Sequence, residues 1–302
     1  MELDEIRAFV AVAETGSVNR AAHELGRSQP AVTRQIQRLE QALGIQVLDR
    51  RAKPVKLTLA GQVALERCRR ILTGVEELRA ATALGPGPQG ECRIGLGYSL
   101  AEMCLACSLE KLRQEFPQVS FRVSTSMSPY LLEEVRSGAL DLAVVQIPEG
   151  HRPPAGVEGR MVTTAPLVFV ASGRRRLPKV VKLTDLAEET WVLNPDGCGF
   201  RAALRRALGD VNAPLRIAVE AFGMELQLSL VARGVGLGLI PAWVLARSRL
   251  RPKVRPFSVR GHGFRVAVWI VRGRLPEPLL PVWTTVDESL TKELARLTRR
   301  RG

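Results

Sequence analysis

Apolar residues recur at helical spacing in two short segments at the start of the chain. The segments end at Gly16 and Gly26, residues of the kind that terminates helices, and Ser17 can cap the second. Their apolar positions are Leu3, Ile6, Phe9, Val10 and Ala13 in the first, and Val18, Ala21, Ala22 and Leu25 in the second. The pattern predicts two amphipathic helices in close succession.

A third helix is predicted from Gln29 to Leu43, with Ser28 as its N-cap, Pro30 in its first turn and Gly44 as its terminator. At about 100° per residue its apolar side chains fall within an arc of roughly 60°. These side chains are Val32, Ile36, Leu39 and Leu43. The other face carries Thr33, Arg34, Gln37, Arg38 and Gln41, with Glu40 at its edge as the one acid.

Thr, Arg and Gln side chains can hydrogen-bond base edges and phosphates. Two helices joined by a tight turn, the second presenting such a face, form a helix-turn-helix. Short apolar runs around Arg50, Arg51 and Lys53 predict a β-hairpin with a basic tip between Ile45 and Leu59. Each piece alone is more often a solvated surface, but together they favour a winged helix-turn-helix that binds double-stranded DNA.

The segment from Ala60 to Ala83 contains no proline and predicts a long helix. Apolar or small residues alternate at spacings of four and three, which is a heptad seam that predicts pairing with a second copy. They are Ala64, Cys68, Ile71, Val75, Leu78 and Thr82. A helix half-buried on its own domain would give the same pattern, so this alternative stays open. The run from Gly85 to Gly90 (GPGPQG) then marks a domain boundary.

Strands and helices alternate after Glu91 in two similar blocks, which predicts an α/β fold with mostly parallel sheets and two lobes. The full prediction is a DNA-binding domain over 1–59, a linker helix and hinge over 60–88, and a regulatory domain over 89–302. In the regulatory domain, lobe I takes 89–163 and 267–302, and lobe II takes 164–266.

Ligands of open α/β sheets bind beyond the carboxyl ends of the strands. The loops expected there are Tyr98–Leu100, Ser126–Pro129, Asn194–Phe200 and Ala221–Met224. Several of them place small hydroxyl residues at helix N-termini, where a carboxylate or similar anion is well accommodated. Simple N-capping by these serines is the alternative.

The chain has 302 residues, which predicts two or three domains, and a formal net charge of +14. Only 13 Lys and Arg against 10 Asp and Glu lie before Gly90. The excess lies in four segments: 174–176, 201–206, 247–260 and 296–301. Because Arg outnumbers Lys 37 to 7, we favour a coding bias over a second binding surface as its cause.

No apolar run approaches the ~18 residues of a membrane span, and the acidic start is unlike a signal peptide, so we expect a cytoplasmic protein associated with the nucleoid. Five scattered cysteines indicate reduced thiols. The three histidines, His23, His151 and His262, lie in unrelated segments, so we expect no metal, no cofactor and no enzyme. The alternative is a thiol oxidoreductase that uses Cys104 and Cys107, although a pair beyond the first helical turn favours core cysteines.

The N-terminal block resembles the winged helix-turn-helix of the LysR-type transcriptional regulators. It carries A-A, S-Q-P-A-V-T-R-Q-I, L-E, L-G, Arg50 and then L-T-L-A-G in the family's order, with Leu48 where the family often has Phe. The runs D-L-A-V-V from Asp141 and V-A-R-G-V-G-L-G-L-I-P from Val231 resemble the family's two-lobed effector domain of periplasmic-binding-protein type.

The resemblance implies roles for particular residues. It implies base and phosphate contacts from Gln29, Pro30, Thr33 and Arg34, to which we add Ser28 at the start of the helix and Gln37 and Arg38 on its polar face. Arg50 would hold the DNA backbone together with Arg51 and Lys53. The effector would bind between the lobes, against Ser99, Leu100, Ser126, Ser128, Cys198, Phe200 and Phe222. Hinge strands would lie near 163–166 and 265–267.

The resemblance also implies partners: a small-molecule effector, a homodimer or homotetramer that bends its operator, and RNA polymerase.

Overall fold

The computed structural model describes residues 1–49, 54–82, 88–273, 275 and 279–299. The chain forms two compact units, one made by Met1–Gly87 and the other mainly by Pro88–Arg136, Leu140–Gly273 and Leu279–Gly302. Within the described residues, no helix is both long and apolar enough to cross a membrane.

Three helices build the core of the first unit: α1 (Leu3–Thr15), α2 (Val18–Glu24) and α3 (Gln29–Leu43). Gly16 and Gly44 end α1 and α3 in the left-handed conformation that glycine adopts without strain. Their apolar faces meet in one cluster, where each fully buried side chain contributes about 1.5–3 kcal/mol. Its members include Ile6, Phe9, Val12, Ala21, Val32, Ile36 and Leu39.

One detail of the predicted third helix is wrong. Leu43 is 38% exposed rather than part of the buried stripe, because it is the last residue of α3 and lies beyond the core cluster. Ser28 is the N-cap, as predicted, and has the extended backbone of that position, although its side chain is exposed and makes no capping hydrogen bond.

The hairpin of the first unit pairs β1 (Leu48–Asp49) with β2 (Lys56–Leu57) in antiparallel register. Its predicted basic tip, Arg50 to Lys53, lies outside the described residues. The long helix α4 (Leu59–Thr82) follows. Thr58 Oγ1 accepts the backbone N–H of Gly61 at 2.9 Å and donates to the carbonyl of Gln46 at 2.7 Å. The L-T-L-A-G segment therefore joins the start of α4 to the base of the hairpin.

The predicted heptad seam of α4 is split between two environments, so its assignment to a single pairing surface is wrong. Cys68 is buried in the helical core, and Ala64 packs against that core together with Leu65 and Leu72. Ile71 and Leu78 are exposed instead, at 39% and 66%. The first half of α4 covers its own unit, since α1 and the hairpin lie against it.

The second unit is built on one mixed sheet. At one end, β3 (Gly90–Gly97) lies parallel between β4 (Val119–Ser126) and β5 (Leu142–Pro148). At the other end, β8 (Thr190–Leu193) lies parallel between β10 (Leu237–Pro241) and β9 (Arg216–Glu220). The central strands are β6 (Glu158–Ser172) and β12 (Arg265–Arg272). The strand order is β4-β3-β5-β12-β6-β10-β8-β9.

The prediction of mostly parallel sheets is wrong for the centre of this sheet, where β5, β12, β6 and β10 are antiparallel neighbours. The 15-residue strand β6 belongs to both halves: residues 158–166 pair with β12, and residues 167–172 pair with β10 or β11 (Val254–Val259). The hydrophobic pattern predicts only fragments of β6, because the strand is exposed at its start and buried at its end. A short strand, β7 (Val180–Val181), pairs with β11.

Helices connect the strands and cover the sheet. In the first half they are α5 (Tyr98–Glu115) and α6 (Ser128–Ser137). In the second half they are α7 (Gly199–Asp210), α8 (Met224–Ala232) and α9 (Ala242–Arg247). The last helix, α10 (Leu280–Arg299), packs against α5. Asp141, just before β5, accepts hydrogen bonds from the backbone and guanidinium of Arg93 at 2.7–3.1 Å, which links β5 to β3.

Candidate functional site

The exposed face of α3 carries the side chains predicted to contact DNA. Ser28, Gln29, Pro30, Arg34, Gln37 and Arg38 are exposed, and Thr33 is half-buried. Thr33 Oγ1 donates to the carbonyl of Gln29 at 3.0 Å, and Arg34 Nε donates to the carbonyl of Pro30 at 3.3 Å. Both side chains therefore rest on the helix backbone, with one donor of each engaged there.

Glu40 does not lie on that face. It is 8% exposed, and its Oε1 accepts the backbone N–H groups of Val47 at 2.9 Å and Leu48 at 3.4 Å. The acid predicted at the edge of the polar face instead joins α3 to the hairpin. Its position one helical turn after Ile36 placed it beside the apolar stripe, and this spacing was the available signal. The exposed face of α3 is left with neutral and cationic groups.

A cavity with an empty volume of about 410 Å³ lies in the second unit. It is bounded by the β3–α5 and β4–α6 junctions, by the loop between β8 and α7 and by the start of α8, and Gln146 of β5 also contributes. The predicted loops over 98–100 and 126–129 are wrong, because α5 begins directly after β3 and one residue separates β4 from α6. Five of the predicted effector residues line it together: Ser99, Ser126, Ser128, Cys198 and Phe200. Both halves of the sheet thus contribute to one cavity.

Leu100 and Phe222 do not line this cavity, so their placement there is corrected. Leu100 is fully buried, because one step along α5 from Ser99 turns its side chain by about 100° into the core. Phe222 is 48% exposed, and its ring centroid lies 5.1 Å from that of Tyr98. Tyr98 does line the cavity, so Phe222 supports a lining residue from outside.

Gln146 also lines the cavity, although it lies outside the segments predicted to bind a ligand. Its side-chain oxygen accepts a hydrogen bond from the hydroxyl of Ser99, and its backbone N–H donates to Ser128 Oγ at 2.9 Å. Its Nε2 is buried and has no hydrogen-bond partner within the described residues. The sequence feature that could have identified Gln146 is its position as the one polar side chain near the end of an apolar strand. Ser99 and Ser128 therefore organise the cavity wall through Gln146, whereas simple N-capping would point them at their own helices.

On the opposite wall, Asn194 is held by the second half of the sheet. Its Oδ1 accepts from Gln227 Nε2 at 2.7 Å, and its Nδ2 lies 3.5 Å from Cys198 Sγ. Arg201, 7% exposed, donates to the carbonyl of Asn194 at 3.2 Å and to Glu220 at 2.6 Å. These bonds restrain the loop that precedes α7.

The first residues of α5, α6, α7 and α8 all lie in the cavity lining. No side-chain capping bond satisfies the N-termini of α5, α7 and α8 within the described residues. Helix N-termini present free N–H groups and a positive partial charge, which together attract anions. Among the described residues that line the cavity there is no Lys, Arg, His, Asp or Glu. The cavity can therefore bind a small anion through backbone, hydroxyl and amide donors.

The described cysteines lie in separate places. Cys68 is buried in the first unit and Cys92 in β3, while Cys198 is at the N-cap of α7. Burial raises the pKa of the Cys92 thiol to about 12, aided by the charge of Asp141, and burial also raises the pKa of Cys68. Neither thiol is therefore activated as a nucleophile. Cys104 and Cys107 fall on the helical backbone of α5, but their side chains lie outside what the structure describes.

Comparison with known proteins gives matches to both units. Residues 3–62 match the bacterial regulatory helix-turn-helix protein, lysR family, and residues 85–287 match the LysR substrate binding domain. The chain is 38% identical to the small neutral protease regulatory protein of Streptomyces coelicolor over 67% of its length and 66% of that protein. It is 32% identical to the HTH-type transcriptional regulator TfdS of Cupriavidus pinatubonensis, over 91% of this chain and 95% of the other.

A solved structure has the same fold. A variant of full-length OxyR from Pseudomonas aeruginosa superposes with a TM-score of 0.73, at 20% identity, over 96% of this chain and 94% of that chain.

Proposed function

The chain belongs to the LysR family of bacterial regulatory proteins, and from this premise we propose how its residues read DNA and sense an effector. As a LysR-type protein it is a DNA-binding transcriptional regulator with an effector-binding domain, as the resemblance predicts. We assign DNA binding to residues 1–59, linkage to 60–88 and effector binding to 89–302. Lobe I takes 89–163 and 267–302, and lobe II takes 164–266.

The exposed face of α3 reads the operator in the major groove. Gln29, Thr33 and Arg34 lie toward the N-terminal end of α3, the end from which recognition helices contact bases. Ser28, Pro30, Gln37 and Arg38 are exposed beside them and position the helix on the duplex. Arg50, Arg51 and Lys53, the basic residues between Asp49 and Pro54 in the sequence, hold the DNA backbone. Burial of Glu40 supports this assignment because it removes the one acid from the reading face.

Pairing of two copies through α4 places two such helices on one duplex. Three exposed apolar residues of α4 support this arrangement: Val63, Ile71 and Leu78. They lie on its surface, whereas Cys68 of the same helix packs into the core. A two-fold dimer reads half-sites on successive turns of the groove. The working form is a dimer or a tetramer of paired dimers, and RNA polymerase is its downstream partner.

A small anionic effector, such as a carboxylate, binds in the cavity. The convergence of four helix N-termini on a cavity whose described lining has no charged side chain is the observation that carries this proposal. Gln146 Nε2 supplies an unused donor, with Ser99, Ser126 and Ser128 beside it. Movement of one half of the sheet against the other about the 163–166 and 265–267 segments, which pair in β6 and β12, transmits binding to the DNA-binding unit.

The protein acts without catalysing a reaction. The LysR family consists of transcriptional regulators, which does not favour the alternative of a thiol oxidoreductase that uses Cys104 and Cys107. In the part of the chain that the structure describes, the cavity lining also offers no carboxylate or imidazole as a general base. Loss of a thiol-dependent activity in Cys104→Ser, with DNA binding intact, would support the enzyme instead.

The test is a footprint of the purified protein on the DNA upstream of its own gene, repeated with a panel of small carboxylates, neutral analogues of equal size and cationic metabolites. We expect a protected dyad whose extent changes with one carboxylate. A response to a neutral or cationic compound alone would refute the anionic effector while leaving the regulator intact. The absence of any discrete footprint would refute sequence-specific reading.

A further inference from the structure

One exposed region of the second unit carries positive charge that the effector cavity does not use. The segments 173–182 and 247–260 contain 11 Lys and Arg and no Asp or Glu. All 11 side chains are exposed. We name this region the β11 basic patch, after the strand along which the segments meet.

The fold brings these two segments side by side. The backbone N–H of Gly173 donates to the carbonyl of Lys253 at 2.8 Å. Farther along, the N–H of Ser258 donates to the carbonyl of Lys179 at 2.9 Å, and that of Arg260 to Val181 at 2.9 Å. The segment from Arg174 to Lys179 therefore lies beside the segment from Lys253 to Arg260, although some 80 residues separate the two in the chain.

Neighbouring acids do not neutralise the patch. Arg175 pairs with Glu189 at 2.7 Å, and the other ten cations form no ion pair within the described residues. Two further acids lie in the adjoining segment and are already engaged: Asp185 accepts the backbone N–H of Lys182, and Glu188 pairs with Arg216. The patch thus carries a nearly uncompensated positive charge.

A general coding bias toward arginine does not explain this distribution. Residues 90–302 contain 31 Lys and Arg and 20 Asp and Glu. Without the 11 cations of the patch, the two kinds of charge are equal at 20 each. The patch therefore carries as many positive charges as the whole excess of residues 90–302, and their proximity creates a local field that attracts polyanions.

We propose that the β11 basic patch is a second, sequence-independent surface for duplex DNA. Residues 253–260 extend over about 25 Å, a length of duplex that carries roughly 15 phosphate charges. Arginine suits phosphate because its planar guanidinium donates two parallel hydrogen bonds. A protein partner fits less well: interface cores are depleted in charge and rich in aromatic residues, whereas Val180 is the one large apolar side chain exposed in these segments.

This proposal rests on DNA binding by the first unit, which keeps a duplex at high effective concentration around the rest of the same molecule. The patch would contact DNA that flanks the operator. It would add affinity and salt dependence without adding sequence preference, because phosphates carry no sequence information.

The test compares two triple variants of the full chain. The patch variant is Arg174→Gln, Arg176→Gln and Arg255→Gln. The matched control is Arg113→Gln, Arg122→Gln and Arg206→Gln, three exposed arginines of the same unit without an ion pair in the described part of the chain. Affinity is measured on a long duplex that carries the operator and on a minimal operator, over a range of salt concentrations.

We expect the patch variant to lose about tenfold in affinity on the long duplex at moderate salt, and its salt slope to fall by roughly one for each lost phosphate contact. On the minimal operator, the patch variant should bind with wild-type affinity. The control variant should bind both duplexes with wild-type affinity. Equal salt slopes for the patch and control variants on the long duplex would overturn the proposal. This is the result expected if the patch binds an acidic protein instead of DNA.

A second comparison separates this proposal from operator reading by α3. In a Thr33→Ala/Arg34→Ala background, the chain should still bind random duplex, and adding the patch substitutions should remove most of that binding. If the unaltered chain shows no operator preference, reading by α3 fails while the patch can still be judged on random duplex. Unchanged unfolding temperatures exclude misfolding as the cause.

Discussion

The carboxylate of Glu40 in α3 accepts the backbone N–H of Val47 at 2.9 Å, just before the first strand of the hairpin. A buried N–H that loses its acceptor pays the full cost of desolvation, so this contact links the recognition helix to the hairpin energetically. The same contact takes the acid out of the DNA-facing surface. One residue thus serves the stability of the first unit and its electrostatics.

Replacing Glu40 with alanine should lower the free energy of unfolding by about 2–4 kcal/mol, because two buried N–H groups lose a charged acceptor. Glu40→Gln should cost less, since the amide oxygen still accepts. Glu24→Ala, an exposed glutamate of α2, is the control and should change stability by less than about 0.5 kcal/mol. Chemical denaturation measures all three, and equal effects of Glu40→Ala and Glu24→Ala would contradict the structural role.

Arg34→Ala and Thr33→Ala should each weaken specific operator binding by about 1–3 kcal/mol, because each removes a side chain on the reading face. Binding to random duplex should change less than binding to the operator. Arg113→Ala in α5 controls for the loss of one positive charge. Unchanged operator affinity in both the Arg34→Ala and the Thr33→Ala variant would exclude α3 as the element that reads the operator.

Gly61→Ala should destabilise the first unit by about 1–3 kcal/mol, because an added Cβ would lie 2.0 Å from the carbonyl oxygen of Val47. Gly74 in the same helix is the matched control, since nothing lies within 4 Å of its Cβ position among the described residues. Gly74→Ala should raise the helix stability by up to about 1 kcal/mol. Thermal unfolding should therefore shift in opposite directions for the two variants.

Gln146→Leu should weaken effector binding by at least tenfold, because the substitution keeps the size of the side chain but removes its amide donor. DNA affinity without effector should not change. Calorimetric titration with the carboxylate found by footprinting measures the effect, and Ser120→Ala, an exposed residue on β4, is the control. Wild-type effector affinity in Gln146→Leu would place the ligand elsewhere.

The buried Cys92 thiol should make stability fall at alkaline pH. An unfolded cysteine ionises near its usual pKa of 9.0, whereas the folded thiol keeps its proton up to a pKa of about 12. Above pH 9 the unfolded state therefore binds fewer protons, and the free energy of unfolding decreases as the pH rises. The stability difference between wild type and Cys92→Ala should narrow from pH 8 to pH 10.5. A constant difference would show that the thiol ionises normally in the fold.

The sequence by itself determined the local elements of the first unit. The bounds predicted for α3 are those observed, and Ser17 caps α2 through the backbone N–H of Arg20 as its position predicts. These features depend on contacts between residues three or four apart, which periodicity and capping preferences describe directly. The position of Ser99, Ser126, Ser128 and Cys198 near strand ends was also predictable, because strands and helices alternate in the sequence.

Only the tertiary structure decided which side chains point inward and which residues lie next to them. Glu40 turned inward because the hairpin brings Val47 to it, and Cys68 packs inward because α4 lies on the helical core. Gln146 entered the cavity because β5 ends between Ser99 and Ser128. The β11 basic patch formed because strand pairing placed residues 173–182 beside residues 253–260. These contacts depend on which elements the fold brings together. A local pattern can indicate that a residue lies near the core or at a strand end, but it does not specify the partner.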